Sequence, residues 1–319
     1  MPLVVRRLIQ LVVVFVVVTF FTVCLISLIP GKPEQVIIPF GTDAQRAALR
    51  SQLGLDQPLW IQWWKWVTGF VTGDMGNLYT STGTRPVWNE IRPAIPVSLA
   101  LLIYSQIVAL VIAIPLGVIA AYKAGKMTDR GINLMASAMI AVPSFAVALL
   151  LSNYLGVQLG WVPPSGYTPL FGAEADPADH FRRMVIPVTA LCLAQISVYM
   201  RLLRTDMVAT LQEDFILMAK SKGISDGRIL WRHALRPSSL TLLTVAGLNV
   251  GALIGGSIVI EYLLNIPGLG YQLGYAVNAR QYVMLESLVA LIAIGYVLIN
   301  FLIDFLYTVL DPRIRERAS

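Results

Sequence analysis

Few residues in this 319-residue chain could do covalent or acid–base chemistry: two histidines, two cysteines and a thin scatter of carboxylates. His180 and His233 lie far apart and form no visible catalytic pair. Cys24 and Cys192 each sit in an apolar run, which suits buried, inert thiols better than a disulfide framework or a metal site. No HExxH, GxSxG or CxxC occurs. The phosphate-binding pattern G-x-x-x-x-G-K-[ST] is absent too, so the chain does not bind ATP by that route. The glycines of "PGLGYQLG" (Pro267 to Gly274) do not fit G-x-G-x-x-G, and the segment does not link a strand to a helix. Ionisable residues inside apolar spans are functional candidates by default. Asp304, Glu261 and Glu286 all fall near the ends of such spans, so a proton relay through a membrane centre is poorly supported. One stretch stands apart: "DFILMAKSKGISDGRILWRHALRP", Asp214 to Pro237, which carries Lys220, Lys222, Arg228, Arg232, His233 and Arg236 around a central glycine.

That stretch must be positioned by very apolar elements. Hydrophobic residues make up 56% of the chain and charged residues 13%, about half the charged share of a soluble domain. Mean hydropathy is +0.70. Such a chain cannot cover a water-facing surface, so its solvent is lipid. A bilayer core needs roughly 20 apolar residues in a helix. Six stretches qualify, at about 8–29, 97–121, 133–157, 184–203, 239–262 and 284–310, and predict an all-α integral membrane protein with six transmembrane helices. The first is too long for a signal-peptide core and lacks a small-x-small cleavage site, so it is expected to be retained.

The net charge of +6 reads as a positive-inside bias rather than as a nucleic-acid signal. Arg6, Arg7, Lys123, Lys126, Arg130, the basic set from Arg201 to Arg236, and Arg313, Arg315 and Arg317 fall on one side. Both termini are then cytoplasmic, with Asp214–Pro237 in the cytoplasmic loop between the fourth and fifth helices. Residues 31–96 form an outward region, 97–310 the core with the loop 205–237, and 311–319 a tail. In the outward region Trp60, Trp63, Trp64, Val67 and Val71 recur at helical spacing as one face. A short helix lying in the membrane interface explains them, as does docking of a partner or capping of a cavity. "TGTRP" and "EIRPAIP" are expected to break regular structure before the second span. Pro115, Pro143 and Pro187 are candidate kinks. Gly247, Gly251 and Gly255 form a GxxxGxxxG face, either for internal packing or as a sliding surface at a subunit seam or the transport path, with Asn249 a candidate pathway residue beside it.

Within the basic stretch, Met207, Leu211, Phe215, Met218 and Ala219 trace one helical face. Gly223 breaks the helix, Ser225 can cap a second short helix, and Asp226 puts negative charge at that helix's positive end. Ile229, Leu230, Trp231 and Leu235 give the second helix apolar contacts, and Pro237 marks entry into the fifth span. Two readings stand at this level. One is a rigid lever gripped by a soluble partner; the other is a basic loop on anionic headgroups.

The segment resembles the EAA loop of ABC importer permeases, with Ala219 and Gly223 at the family's spacing and "HALRP" nine residues on. It departs from the general pattern at Leu217, Met218 and His233, in the manner of the peptide-permease branch. "LGLDQPLWIQWWKWVTGFVTGDMGN" (Leu53 to Asn77) and "EYLLNIPGLGYQLGYAVNARQYV" (Glu261 to Val283) resemble the OppB/DppB type of dipeptide and oligopeptide permease subunit. The resemblance runs from about residue 1 to 312. It implies the type I ABC importer permease fold and transport by alternating access in a bacterial plasma membrane. It also implies a second, OppC/DppC-like permease subunit, ABC ATPase subunits and an extracytoplasmic peptide-binding protein. ATP and Mg would belong to the ATPases, with no cofactor in this chain and no catalytic site. Asp214, Phe215, Ala219, Gly223, Ser225, Asp226, Arg228, Ile229, Leu230 and Trp231 would form the ATPase-coupling contact. Nickel, glutathione and oligosaccharide importers share the subunit type. A secondary transporter would need an inverted repeat or mid-membrane charge pairs, and neither is visible.

Overall fold

The structure, a computed structural model, describes residues 3–28, 32–38, 40–80 and 83–310. Expectations for the side chains of Arg6, Arg7, Asp304, Arg313, Arg315 and Arg317 fall outside what is described. Lipid offers no hydrogen bonds to a backbone, so the apolar stretches close their bonds internally as helices. The order is α1 (Leu3–Ser27), α2 (Pro33–Ile37), α3 (Asp43–Gln52), α4 (Leu59–Val71), strands β1 (Asn77–Thr80) and β2 (Gly83–Pro86), α5 (Val87–Tyr122), α6 (Met127–Ala141) and α7 (Ser144–Leu151). Then follow α8 (Pro177–Thr210), α9 (Asp214–Ser221), α10 (Asp226–Arg228), α11 (Leu235–Leu248), α12 (Val250–Leu263), α13 (Leu269–Asn278) and α14 (Tyr282–Leu310). π-helical turns extend α7 over Ser152–Gln158 and join α10 to α11 over Ile229–Ala234.

All six predicted stretches are helical, but two are not single straight spans. The third bends by 93° between α6 and α7, and the fifth by 43° between α11 and α12. Pro143 causes the first break. The residue before a proline is pushed out of helical backbone, and Val142 sits at φ −98°, ψ 124°. The second break, at Asn249, frees the Ala246 carbonyl, which accepts from Gln106 Nε2 (3.2 Å) and Tyr199 OH (3.4 Å). Pro115 and Pro187 are carried inside the continuous helices α5 and α8 and break neither. The expected break at "EIRPAIP" is absent as well: α5 starts at Val87 and runs through Pro93 and Pro96. Val87, Ile91 and Ala94, all fully buried on one face, hold that start. "TGTRP" is mostly strand β2, antiparallel to β1 with Asn77 opposite Pro86 and Thr80 opposite Gly83.

The chain forms two compact units. The first comprises the described residues of Met1–Ser98 and Ile266–Phe301. Here α1 packs on α4 through Phe15 against Trp66 (6.2 Å) and Phe70 (5.6 Å), and Trp63 Nε1 donates to Thr19 Oγ1 at 3.0 Å. Trp66 Nε1 donates to Ser287 Oγ (3.1 Å), which donates to the Met75 carbonyl (3.0 Å). Gln281 bonds both backbone groups of Tyr79, donating to its carbonyl at 2.6 Å and accepting from its N–H at 3.2 Å. Helix α13 ends in paired bonds, Gln281 N–H to the Ala276 carbonyl (2.9 Å) and Arg280 N–H to the Val277 carbonyl (3.4 Å). This termination needs a left-handed residue, usually glycine. Arg280 fills it at φ 54°, a conformation that costs a residue with a Cβ about 1–2 kcal/mol.

The second unit comprises the described residues of Leu99–Asn265 and from Leu302 onward. Helix α8 is its axis, packed by α6, α7, α11 and α12. Tyr199, Met200, Leu203 and Met207 are fully buried. Ala109, Ala113, Gly117 and Ala121 recur every fourth residue on α5, and the three alanines are buried. A Cβ on Gly117 would lie 3.1 Å from Leu203 Cβ and from the Met200 carbonyl. In lipid, association rests on such close van der Waals packing rather than on leaving water. The 159–176 segment is strapped to α8. His180 is buried, donates from Nδ1 to the Thr168 carbonyl (2.7 Å) and accepts at Nε2 from Tyr104 OH (3.3 Å). Arg183 Nη1 donates to the Ser165 carbonyl at 2.8 Å.

Candidate coupling site

At one end of the second unit, the ends of α5, α6 and α8 are tied together beside the basic stretch. A turn at Gly125, φ +78°, leads from α5 into α6. The carboxylate of buried Asp129 accepts the Gly125 N–H (2.8 Å) and Asn133 Nδ2 (2.7 Å). Both its oxygens also take the Arg204 guanidinium near the end of α8, at 2.5 and 2.6 Å. Such two-point geometry fixes direction as well as distance. Arg201 donates to Ser137 Oγ at 2.6 Å, a second tie between α8 and α6. Tyr122, the last residue of α5, donates to Asp226 Oδ2 at 2.9 Å, and Thr210 meets Ser238 at 3.0 Å. The stretch is therefore tied to α5 through Asp226, and the helices at its two ends, α8 and α11, are tied to each other.

Helix α9 ends as expected at Gly223, φ +72°, with Ile224 N–H on the Ala219 carbonyl (3.2 Å) and Gly223 N–H on the Lys220 carbonyl (2.9 Å). Three expectations need correction. Ser225 stands at the start of α10, but its side chain makes no capping bond; its carbonyl accepts from Ile229 N–H at 3.0 Å. The second helix is no separate short helix, because α10, the π-helical turns and α11 run on without a break from Asp226 to Leu248. Pro237 lies inside that run, where its missing N–H forfeits a bond to the preceding turn, just after the wider π-helical turns. The apolar face is also displaced. Helix α8 stops at Thr210, a turn over 211–213 resets the helical phase, and α9 buries Ile216 and Ala219 rather than Phe215 and Met218.

The ten predicted coupling residues divide accordingly. Ala219, Ile229 and Leu230 are buried in the core. Asp214, Phe215, Gly223, Ser225, Asp226, Arg228 and Trp231 are exposed. Leu217 (55% exposed) and Met218 (59%), the positions where the stretch departs from the general pattern, join Phe215 (46%) and Trp231 (52%) as exposed apolar side chains. Lys220, Lys222, Arg228, Arg232 and Arg236 are exposed around them. Large apolar side chains with basic residues around them suit contact with a protein surface. Among the described residues no group of three His, Cys, Asp or Glu could hold a metal ion.

Residues 113–316 match the family described as binding-protein-dependent transport system inner membrane component, and residues 1–102 match that component's N-terminal family. The chain belongs to this family. It is a permease subunit of an ABC importer, a multi-pass membrane protein. A peptide transport system permease protein of Brucella abortus (strain 2308) is 34% identical over 314 residues, 98% of each chain. The glutathione transport system permease protein GsiC of Salmonella paratyphi A is 36% identical over 315 residues, 98% of this chain and 99% of that one. An inward-facing structure of the MetNI methionine ABC transporter superposes with a TM-score of 0.52 at 16% identity, over 69% of this chain and 96% of that one. It supports the type I permease fold.

Elsewhere in the permease, the GxxxGxxxG face is not continuous. The break at Asn249 leaves Gly247 on α11 and Gly251 and Gly255 on α12. A Cβ on Gly247 would lie 2.4 Å from Ile303 Cγ2, whereas nothing lies within 4 Å of one on Gly255. Of the tryptophans, Trp60 (63%) and Trp64 (57%) are exposed. Trp63 turns inward onto Thr19 and Phe20, so it leaves the predicted outer face. Trp66, outside the predicted face, is the buried anchor of α4. Cys192 is buried and Cys24 half-buried, both as free thiols.

Proposed function

We propose that this permease is one of two unlike membrane subunits of a bacterial plasma-membrane importer of short peptides. A second permease subunit would complete the path, an extracytoplasmic binding protein would deliver the substrate, and ATP hydrolysis would occur in partner ATPase chains. Peptide is the substrate class that the names of the relatives share, since glutathione is itself a small peptide. Both termini are cytoplasmic, because Lys123, Lys126, Arg130, Arg201 and Arg204 cluster with the basic stretch at the ends of their helices.

The observation that carries the mechanism is the two-sided build of residues 214–234. Phe215, Leu217, Met218 and Trp231 face outward. On the inner side, Ile216, Ala219, Ile229 and Leu230 are locked into the core that contains α8 and α11. A partner whose grip on the outer set differs between nucleotide states biases the whole helical unit, as coupling requires. The test is ATP-dependent uptake of a labelled dipeptide in proteoliposomes holding the complete importer, with Phe215→Ser and Trp231→Ser combined. Buried interface anchors are worth about 2 kcal/mol or more each, so uptake should fall by more than about tenfold. Wild-type uptake at equal permease content would refute the contact.

A further inference from the structure

The first unit contains a cavity of about 590 Å³ with no part in the coupling site. That size is within the usual range for small-ligand sites, roughly 300–1,000 Å³. Its walls are mixed. Val23 and Ile26 of α1 and Trp66 of α4 give an apolar side, while Lys32, Lys65, Arg280 and Glu286 bring charge to it. Arg50, also in the wall, is already engaged by Asp56 at 2.6 Å and Glu34 at 3.3 Å.

Arg280 and Glu286 are not engaged in that way. Arg280 Nη1 is buried and has no hydrogen-bond partner among the described residues. No described residue bonds the carboxylate of Glu286 or pairs with it, although that side chain is largely covered. Keeping the Arg280 nitrogen buried without a partner is unfavourable, and the Glu286 carboxylate stands beside the cavity unpaired by any described residue. Arg280 also holds a left-handed backbone position where glycine would be free of strain, as Gly223 is in the same helix ending elsewhere in the chain. Strain of this kind persists where a side chain is used. The neighbouring contacts hold it in place: Gln281 grips Tyr79 from both sides, and a Cβ on Gly76 would sit 2.3 Å from Val283 Cγ1.

We propose that this cavity binds the headgroup of an aminophospholipid of the phosphatidylethanolamine type. The phosphate meets Arg280 with Lys32 and Lys65 at the rim, the ammonium group meets Glu286, and the acyl chains leave along the apolar wall of α1 and α4. A ligand with both an acid group and an ammonium group is the chemistry that partners both unsatisfied side chains. The apolar wall, beside tryptophan-bearing α4, favours a membrane lipid over a soluble zwitterion.

The test uses the full chain purified with its partner subunits in detergent. Retention of phosphatidylethanolamine, phosphatidylglycerol and phosphatidylcholine is compared by native mass spectrometry. Phosphatidylglycerol lacks the ammonium group and phosphatidylcholine has no N–H to donate, so phosphatidylethanolamine should bind about tenfold tighter than either. Glu286→Gln should erase that preference. Arg280→Gly, which relieves the backbone strain and so should keep the fold, should weaken binding of all three. Glycerophosphoethanolamine added to the wild-type complex should displace the lipid, a readout that needs no variant. Equal retention of the three lipids would overturn the proposal, as would wild-type binding in Arg280→Gly. Displacement by alanyl-alanine but not by glycerophosphoethanolamine would reassign the cavity to a soluble peptide and would equally overturn it.

Discussion

Removing either side of the Asp129–Arg204 pair should destabilise the second unit, and the two sides should not cost the same. The Asp129 side chain is 5% exposed and that of Arg204 27%. With Arg204→Ala, the carboxylate keeps Gly125 N–H and Asn133 Nδ2 but loses the Arg204 guanidinium, in a place water barely reaches. Breaking a buried pair in this way costs about 3–5 kcal/mol, and the two surviving bonds put this case at the low end, near 3 kcal/mol. With Asp129→Ala, the stranded guanidinium can turn to water or a headgroup, so the loss is nearer the value of its charge-assisted bonds, about 1.5–2 kcal/mol. The double variant should cost less than the sum of the two singles, by about 1–2 kcal/mol, because the stranded charge is gone. The assay is denaturant unfolding of the purified permease in lipid nanodiscs, followed by tryptophan fluorescence. Strict additivity would refute the reasoning, as would Asp129→Ala costing more than Arg204→Ala.

Two further outcomes are expected. Gly223→Ala forces a Cβ into φ +72° and should lower stability by about 1 kcal/mol, whereas Gly223→Pro cannot adopt that angle and loses the bond to the Lys220 carbonyl. Uptake measured against ATPase activity in the reconstituted importer should then show hydrolysis without transport for Gly223→Pro, and normal uptake would contradict it. Gly247→Ala should destabilise by about 1–3 kcal/mol against Ile303, while Gly255→Ala, which meets open space, should be neutral. Equal denaturation midpoints for these two variants would count against the packing described.

Local signals carried much of this molecule. Apolar run length located all six helical stretches, because lipid enforces internal backbone bonding. Gly223 announced the end of α9 because a left-handed residue at that point nearly requires glycine. The misread parts depend on where helices stop or on residues distant in sequence. Reading residues 207–219 as one periodic face ignored the three-residue turn at 211–213, which leaves Met207 and Ala219 buried but Phe215 and Met218 exposed. Asp129 lies 75 positions from Arg204, and no periodicity links them. The small-residue seam on α5 at 109, 113, 117 and 121 has the same four-residue repeat as the glycines of the fifth span. Alanine is too common for the repeat to stand out, and the glycines draw attention to a helix that is in fact broken. Arg280 was hidden for the opposite reason: a left-handed arginine leaves no mark on a sequence.

The outward set of Phe215, Leu217, Met218 and Trp231 also bears on how the permease is made. Exposed apolar patches on an unaccompanied chain promote aggregation. Under the coupling proposed above, a copy synthesised without the protein that covers this patch would leave Phe215, Leu217, Met218 and Trp231 uncovered. On that proposal, balanced production of the subunits would follow from the surface itself, since an orphaned copy would expose an aggregation-prone patch.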